Sequence, residues 1–263
     1  MLWDASAING YAIEANDGRL NDGRLNDGRL GTVSDLFFED VGWFVRWLVV
    51  DTGNWLPGRK VLLPVSALAH PDRALRHFPV KLTMQQVKDS PDVDTDQPVS
   101  RQIEARVYDS YGWDPYWTGG YFPMESGMAT PFVAPFYRKT GGPARADAQS
   151  GEGDPHLRSI ATITGYQIRV SGGGIGHIED FLVDDAGWSI RYIKVDTRNW
   201  WPGERVLISP YSVREIDWSG RLVHINVNRQ KVKDSPRYDP CITIDGAYEE
   251  KFLTYYGIRW VAA

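Results

Sequence analysis

The chain lacks several features that would assign it to a specific class of protein. Its 263 residues include one cysteine, Cys241, so neither an intramolecular disulfide nor a cysteine-based metal site can form. The formal net charge is −5 and there is no basic run, which argues against binding to nucleic acid or to anionic lipid. No apolar stretch has the length of a membrane-spanning helix, and the N-terminus lacks a signal-peptide pattern. We therefore expect a soluble, cytoplasmic protein.

Catalytic motifs are also missing from the sequence. The carboxylate pairs 39–40 and 184–185 each lie before a glycine in a predicted hairpin turn, where we expect them to cap backbone amides. The glycine-rich residues 171–176 lack the spacing and the lysine of a phosphate-binding loop, so we interpret them as a turn. No metal-ligand spacing on a helix is formed by the five histidines, which are His70, His77, His156, His177 and His224. The sequence predicts no enzyme, no cofactor and no metal site.

A long internal repeat relates residues 31–62 to residues 176–207 at a constant offset of 145 positions. Of the 32 aligned positions, 15 are identical, and the alignment needs no gap. The pentapeptide VKDSP at 87–91 recurs at 232–236 with the same offset. A repeat of this length indicates a duplicated structural unit.

A short repeat, NDGRL written three times, occupies residues 16–30. The preceding segment 9–15 matches 164–170 at an offset of 155, so the first unit holds 10 extra residues, which is two copies of the pentapeptide. A five-residue period supplies neither the ligand spacing of an EF-hand nor that of a calcium-binding β-roll. We predict that residues 16–30 form an exposed protrusion with few core contacts.

The pattern within each unit indicates β structure. Short segments of alternating apolar and polar residues, separated by Gly, Pro and Asp turns, predict five or six strands per unit. Thr83 and Gln86 have the spacing of a helix capping box, and residues 99–113 and 244–258 each predict one helix that ends at a glycine. We predict a mainly β fold of two tandem small β-barrels, each followed by a short α-helix and related by internal duplication.

The predicted domain organisation has three parts. The first unit covers residues 1–113 and the second covers residues 157–263. Between them, residues 114–156 begin as an aromatic segment and end as a polar linker rich in Pro and Gly. The aromatic segment is either a strap packed on a barrel or a recognition segment. The strap is favoured, because exposed aromatic side chains without a partner promote aggregation.

Residues 31–64 followed by 81–91 resemble the PRC-barrel family. The shared pattern is a glycine before a strand, an acidic turn, a strand ending in Val-Asp, a hairpin into a Val/Leu-rich strand and a Lys-Asp-Ser-Pro exit. That family includes the cytoplasmic domain of the H subunit of purple bacterial photosynthetic reaction centres and the C-terminal domain of a ribosome maturation factor. In layout the chain is similar to stand-alone bacterial proteins with two such barrels. The resemblance implies compact barrels that serve as assembly surfaces and not as enzymes.

The tryptophans supply the candidate interaction residues. The stretch Asn-Trp-x-Pro-Gly occurs at 54–58 and at 199–203, and such a loop either closes a barrel end or presents an indole to a partner. We expect these indoles to pack, and we expect the partner surface on the neighbouring aromatic segment. The candidate partner-binding residues are Trp55, Trp113, Tyr116, Trp117, Trp200 and Trp201.

The functional prediction is a non-enzymatic protein-interaction or assembly module in a bacterial cytoplasm, with another protein as its partner and no nucleic acid. Two alternatives remain open. One is a peripheral component of a membrane photosynthetic or electron-transfer complex, which would reach the membrane only through a partner. The other is a small-ligand binding or hydrolytic enzyme that uses the groove between the barrels. A homodimer is also left open.

Overall fold

The structure is a computed structural model that describes residues 1–17, 28–91, 99–115, 155–197, 205–239 and 244–257. The strands are β1 Leu2–Asp4, β2 Ala12–Glu14, β3 Arg29–Glu39, β4 Phe44–Asp51, β5 Lys60–Pro64, β6 His77–Pro79, β7 Val99–Ser100, β8 Pro155–Ser159, β9 Gln167–Ser171, β10 Gly173–Asp184, β11 Ser189–Asp196, β12 Arg205–Ile208, β13 Val213–Asp217 and β14 Leu222–Asn228. The α-helices are α1 Ala5–Ile8, α2 Met84–Asp89, α3 Arg101–Tyr111, α4 Ile160–Ile163, α5 Arg229–Lys233 and α6 Gly246–Tyr256.

The prediction of a mainly β fold is confirmed. The strands form one mixed sheet, in which the order β13-β14-β9-β10-β11-β4-β3-β2-β6 is continuous and β5 and β12 pair with β4 and β11. This sheet is not closed into a barrel, so the prediction of two separate, closed tandem barrels is not confirmed. The physical reason is that strands of one repeat unit pair with strands of the other, β4 with β11, β1 with β10 and β8 with β3, and so join the two units into a single sheet. We call the described residues 1–115 the first half and 155–257 the second half.

The main hairpins of the two halves have the same register. The β3–β4 pairing in the first half contains seven Cα pairs, from Thr32↔Asp51 to Glu39↔Phe44. Each of these pairs recurs 145 positions later in the β10–β11 pairing, from His177↔Asp196 to Asp184↔Ser189. The two β-bulges also fall at matching places. The sequence repeat therefore corresponds to a structural one along these strands.

The first strand of each half is exchanged. Strand β1 pairs antiparallel with β10 of the second half, with Trp3 opposite Val183. Strand β8 pairs in the same way with β3 of the first half, with Arg158 opposite Phe38. The two pairings correspond residue by residue, because adding 155 to the numbers of β1 gives those of β8, and adding 145 to the numbers of β3 gives those of β10. Each half therefore contains a strand supplied by the other.

The two hairpins meet at the tryptophans of the long repeat. The backbone N–H of Val45 donates to the carbonyl of Trp188, and the N–H of Ile190 donates to the carbonyl of Trp43, both at 2.7 Å. Trp43 and Trp188 have φ values of 60° and 53°, which are unusual for a bulky residue. The indole of Trp43 is buried and stacks on Phe38. This reciprocal pair of hydrogen bonds lies at the centre of an approximate twofold arrangement.

In each main hairpin, one glycine permits the close approach of the two strands. Gly31 and Gly176 have φ values of 150° and 142°. A Cβ at Gly31 would lie 2.1 Å from the carbonyl oxygen of Asp51, and one at Gly176 would lie 2.0 Å from that of Asp196. Only glycine fits at these positions without backbone movement.

The predicted helix signals are confirmed where the structure describes them. The Thr83 hydroxyl accepts from the N–H of Gln86, and the Gln86 side chain accepts from the N–H of Thr83, which completes the capping box. Helices α3 and α6 are followed by Gly112 and Gly257, both with φ of 68°. No helix in the described ranges is long and apolar enough to cross a membrane.

The prediction of an exposed segment at residues 16–30 agrees with Asn16 and Asp17, which are exposed, but it is wrong at the second flank; the centre, 18–27, lies outside the described residues. Leu30 is fully buried, because it belongs to β3 and faces the core. The side chain of Asn16 donates to the carbonyl of Lys81 at 3.2 Å. Asp17 accepts from the N–H of Met84 at 2.9 Å and so caps the start of α2. The flanks of this segment are therefore integrated into the first half.

Candidate functional site

Trp55 lies in the loop between β4 and β5 of the first half. Its side chain is partly buried and packs against the hydrophobic core. The loop is held from within, because the hydroxyl of Thr52 donates to the carbonyls of Leu56 and Arg59 at 2.7 Å each. Arg59 then joins the loop to the end of α2 by donating to the carbonyls of Lys88, at 2.7 Å, and Ser90. The indole of Trp55 is thus carried on a fixed backbone.

Trp113 directly follows α3. Its N–H donates to the carbonyl of Tyr108 at 3.1 Å, so the backbone is part of the helix C-terminal cap. Its side chain is also partly buried against the core. Helix α3 is joined to α2 by a hydrogen bond of 3.4 Å from the side chain of Gln86 to the carbonyl of Tyr111. Trp55 and Trp113 therefore both lie on segments that are bonded to α2.

The other four candidate residues, Tyr116, Trp117, Trp200 and Trp201, lie outside the described residues. Their role in binding stays a prediction. Trp55 packs partly against the core, as expected for its loop, and Trp113, which was expected on the partner surface, is partly buried as well.

The carboxylates at the hairpin turns were predicted to cap backbone amides, and this interpretation is wrong for Asp185. Its Oδ2 accepts from Trp3 Nε1 at 3.0 Å and lies 3.8 Å from Arg73 Nη2. Arg73 stacks on Trp3, with its Cζ atom 3.8 Å from the ring centroid. Burial acts to raise the pKa of Asp185, but hydrogen bonds from the Met1 amino group and Trp3 outweigh it and lower the pKa. The carboxylate thus binds side chains of the other half.

Asp40 makes the corresponding contact in the first half, with the partners interchanged. Its Oδ2 lies 3.3 Å from Arg158 Nε of strand β8. Arg158 in turn lies over Trp218, with Cζ 4.3 Å from the ring centroid. The arginine is therefore on the exchanged strand here, whereas the tryptophan is on the exchanged strand at Asp185. Each site combines one carboxylate, one arginine and one indole across the two halves.

Two further carboxylates hold the exchanged helices. Asp35 accepts from the hydroxyl of Ser159 and from the N–H of Ala161 at 3.1 Å, at the start of α4. Asp180 accepts from the hydroxyl and, at 3.2 Å, from the N–H of Ser6, at the start of α1. Burial raises the pKa of both carboxyl groups, and these hydrogen bonds offset only part of that effect.

A buried lysine distinguishes the second half from the first. Lys194 of β11 is 8% exposed, and its Nζ lies 2.5 Å from Asp4 Oδ1 of the exchanged strand β1. Burial acts to lower the pKa of Lys194, but the hydrogen bond and charge of Asp4 outweigh it, and the pKa is raised. At the equivalent site on the first half, the buried Val49 takes the place of Lys194, and Ser159 of the exchanged strand β8 takes the place of Asp4. The ion pair is therefore present at only one of the two related sites.

Sequence reasoning missed a buried carboxylate on α3. Glu104 is 0% exposed and accepts from Trp47 Nε1 at 2.6 Å. Its equivalent on α6, Glu249, pairs with Arg191 at 3.4 Å. The recurrence of a glutamate at the same place in both helices was the signal that could have revealed it.

An open groove of about 620 Å³ lies in the second half, beside α5 and α6. Its lining mixes charges of both signs with hydroxyl groups, and includes Asp234, Arg237, Glu250, Lys251 and Tyr255. It does not lie between the halves, where the enzymatic alternative expected a pocket. Within the described ranges, no three His, Cys, Asp or Glu side chains are grouped closely enough to hold a metal ion.

Comparison with protein-family models gives no match, and comparison with curated proteins gives none either.

Proposed function

We propose that this chain is a non-enzymatic protein-interaction or assembly module of the PRC-barrel type that acts in a bacterial cytoplasm. Its two halves would be duplicated units of that type, fused into one sheet by strand exchange. The recurrence of all seven Cα pairs of the main hairpin at the sequence offset of the repeat supports a common origin of the halves. The resemblance of residues 31–64 and 81–91 supports the family.

One observation carries the interaction role. The indoles of Trp55 and Trp113 are partly exposed, while the segments that bear them are fixed to α2 by hydrogen bonds from Arg59 and Gln86. A rigidly held aromatic side chain loses little conformational freedom on binding, which is typical of an interface anchor. The many ionisable side chains near the exchanged strands are engaged in joining the halves, so they do not favour a catalytic role.

Capture of a partner from native lysate tests this proposal. The baits are the wild-type chain, the double variant Trp55→Ala/Trp113→Ala and the control Leu75→Ala. Leu75 suits the control because it is 72% exposed in a different turn. We expect a partner protein to be retained by the wild type and the control and lost by the double variant. Thermal melting of each bait shows whether the loss reflects unfolding. Retention of the same partner by a folded double variant would contradict the assignment of these indoles, and capture of no protein by the wild type would contradict the interaction role.

A further inference from the structure

The contacts between the halves are reciprocal and extensive. Strand β1 and helix α1 of the first half lie on β10 of the second, and β8 and α4 of the second lie on β3 of the first. A third contact joins β4 to β11 through Ser189↔Phe44. All three involve backbone pairing, so each half presents unpaired strand edges when the other is removed.

Halves from different copies of the chain carry the same contacting residues, so the same strand pairings are available between copies. The covalent connection between the halves, residues 116–154, contains 39 residues. A fully extended chain of this length reaches on the order of 140 Å, which is several times the width of a domain of this size. A connection of this reach permits exchange of halves between two copies, which preserves each contact described between the halves.

The ion pair between Asp4 and Lys194 determines which halves fit together. Two second halves placed against each other would bring Ser159, the equivalent of Asp4, to the buried Lys194 of the partner. The ammonium group would then lack the carboxylate that it contacts at 2.5 Å. Two first halves would bring Asp4 to the buried Val49. A first half paired with a second half keeps the ion pair.

We propose that a second copy of this chain is a binding partner through reciprocal exchange of halves. In this dimer the first half of each copy packs on the second half of the other, and the Asp4–Lys194 pair selects this combination over pairing of like halves. The monomer and the exchanged dimer contain the same interfaces, so their balance depends on protein concentration and on any change that disfavours the intramolecular pair.

Charge exchange in full-length chains tests the proposal. The variant Asp4→Lys places two ammonium groups together in its own monomer, and Lys194→Asp places two carboxylates together. When the two variants are unfolded, mixed in equal amounts and refolded together, an exchanged heterodimer restores an opposite-charge pair at both sites. One site then joins the ammonium group introduced by Asp4→Lys to the carboxylate introduced by Lys194→Asp, and the other site regains the wild-type pair. The double variant Asp4→Lys/Lys194→Asp in one chain is the matched control.

We expect each single variant to melt at a lower temperature than the wild type, and the double variant to recover most of that loss as a monomer. We expect the mixture to elute as a dimer that contains both variants and to melt close to the wild type. A mixture that keeps the mass and melting temperature of its separate components would overturn exchange between copies. Single variants that melt like the wild type would overturn the selecting role of the ion pair.

Discussion

At the scale of single residues, the two related sites at the exchanged strands have different chemistry. Asp4 faces Lys194 at one site, whereas Ser159 and Val49 occupy the same places at the other. A buried lysine is costly unless it is paired, whereas Asp4, with 40% of its side chain exposed, remains hydrated when its partner is removed. The two members of this pair should therefore respond differently to substitution.

We expect Asp4→Ala to lower the free energy of unfolding by about 1–3 kcal/mol, because it leaves the ammonium group of Lys194 without its nearest carboxylate. We expect Lys194→Met to cost less, since an apolar side chain is accepted at the equivalent position of Val49. Denaturant unfolding of both variants measures the difference. A larger loss for Lys194→Met than for Asp4→Ala would contradict this account of the pair.

The carboxyl groups of Asp35 and Asp180 predict a dependence of stability on pH. Their pKa values are raised in the folded chain, mainly by burial. The folded chain therefore favours the protonated carboxyl group. This contribution to stability is complete below the pKa of the unfolded chain and is lost as the pH rises through the pKa of the folded chain. We expect Asp35→Asn/Asp180→Asn to reduce the loss of stability as pH rises from about 4. Unfolding measured at several pH values checks this, and an unchanged slope would count against the assignment.

At the scale of elements, the sequence predicted what depends on neighbouring residues. The strands of the main hairpins, the capping box at Thr83 and the glycines that end α3 and α6 follow from local spacing, and all are present. The partners of β1 and β8 could not be predicted in this way. Strands β3 and β10 belong to the repeated stretch, so the two halves offer β1 and β8 similar edges. Among the described residues, the complementary charges of Asp4 and Lys194 favour the pairing of a first half with a second half.

The candidate site was predictable to the same extent. The repeated loop identified Trp55, and the structure adds the bonds from Arg59 that hold this loop to α2. The turn carboxylates were recognised, but their partners, such as Arg158 for Asp40, lie far away in the sequence. Contacts between segments so distant leave no local pattern.

The close approach inside the main hairpins provides a test at the element scale. We expect Gly31→Ala and Gly176→Ala each to lower the free energy of unfolding by about 1–3 kcal/mol. The reason is that the added Cβ would meet a backbone carbonyl oxygen at 2.1 Å or 2.0 Å. Gly187→Ala is the matched control, since a Cβ there meets no atom within 4 Å. Thermal melting compares the three variants. Equal melting temperatures for Gly31→Ala and Gly187→Ala would contradict the described hairpin geometry.

At the scale of the whole molecule, the two halves hold each other through exchanged strands, and we expect them to stay together without their covalent connection. The interface includes β1 on β10, β8 on β3 and the central pair of hydrogen bonds between Val45 and Trp188 and between Ile190 and Trp43. Without the connection, the two halves would gain more entropy when they separate, but none of these contacts would be removed.

Cleavage of the full-length protein within residues 116–154 is the most direct test of this claim. A protease site is placed in that stretch, the folded chain is cut to completion, and the product is examined by size-exclusion chromatography under native conditions. We expect both fragments to elute together in equal amounts at the volume of the uncut chain, and to separate only in denaturant. Two fragments that elute apart as independent folded units under native conditions would contradict this expectation.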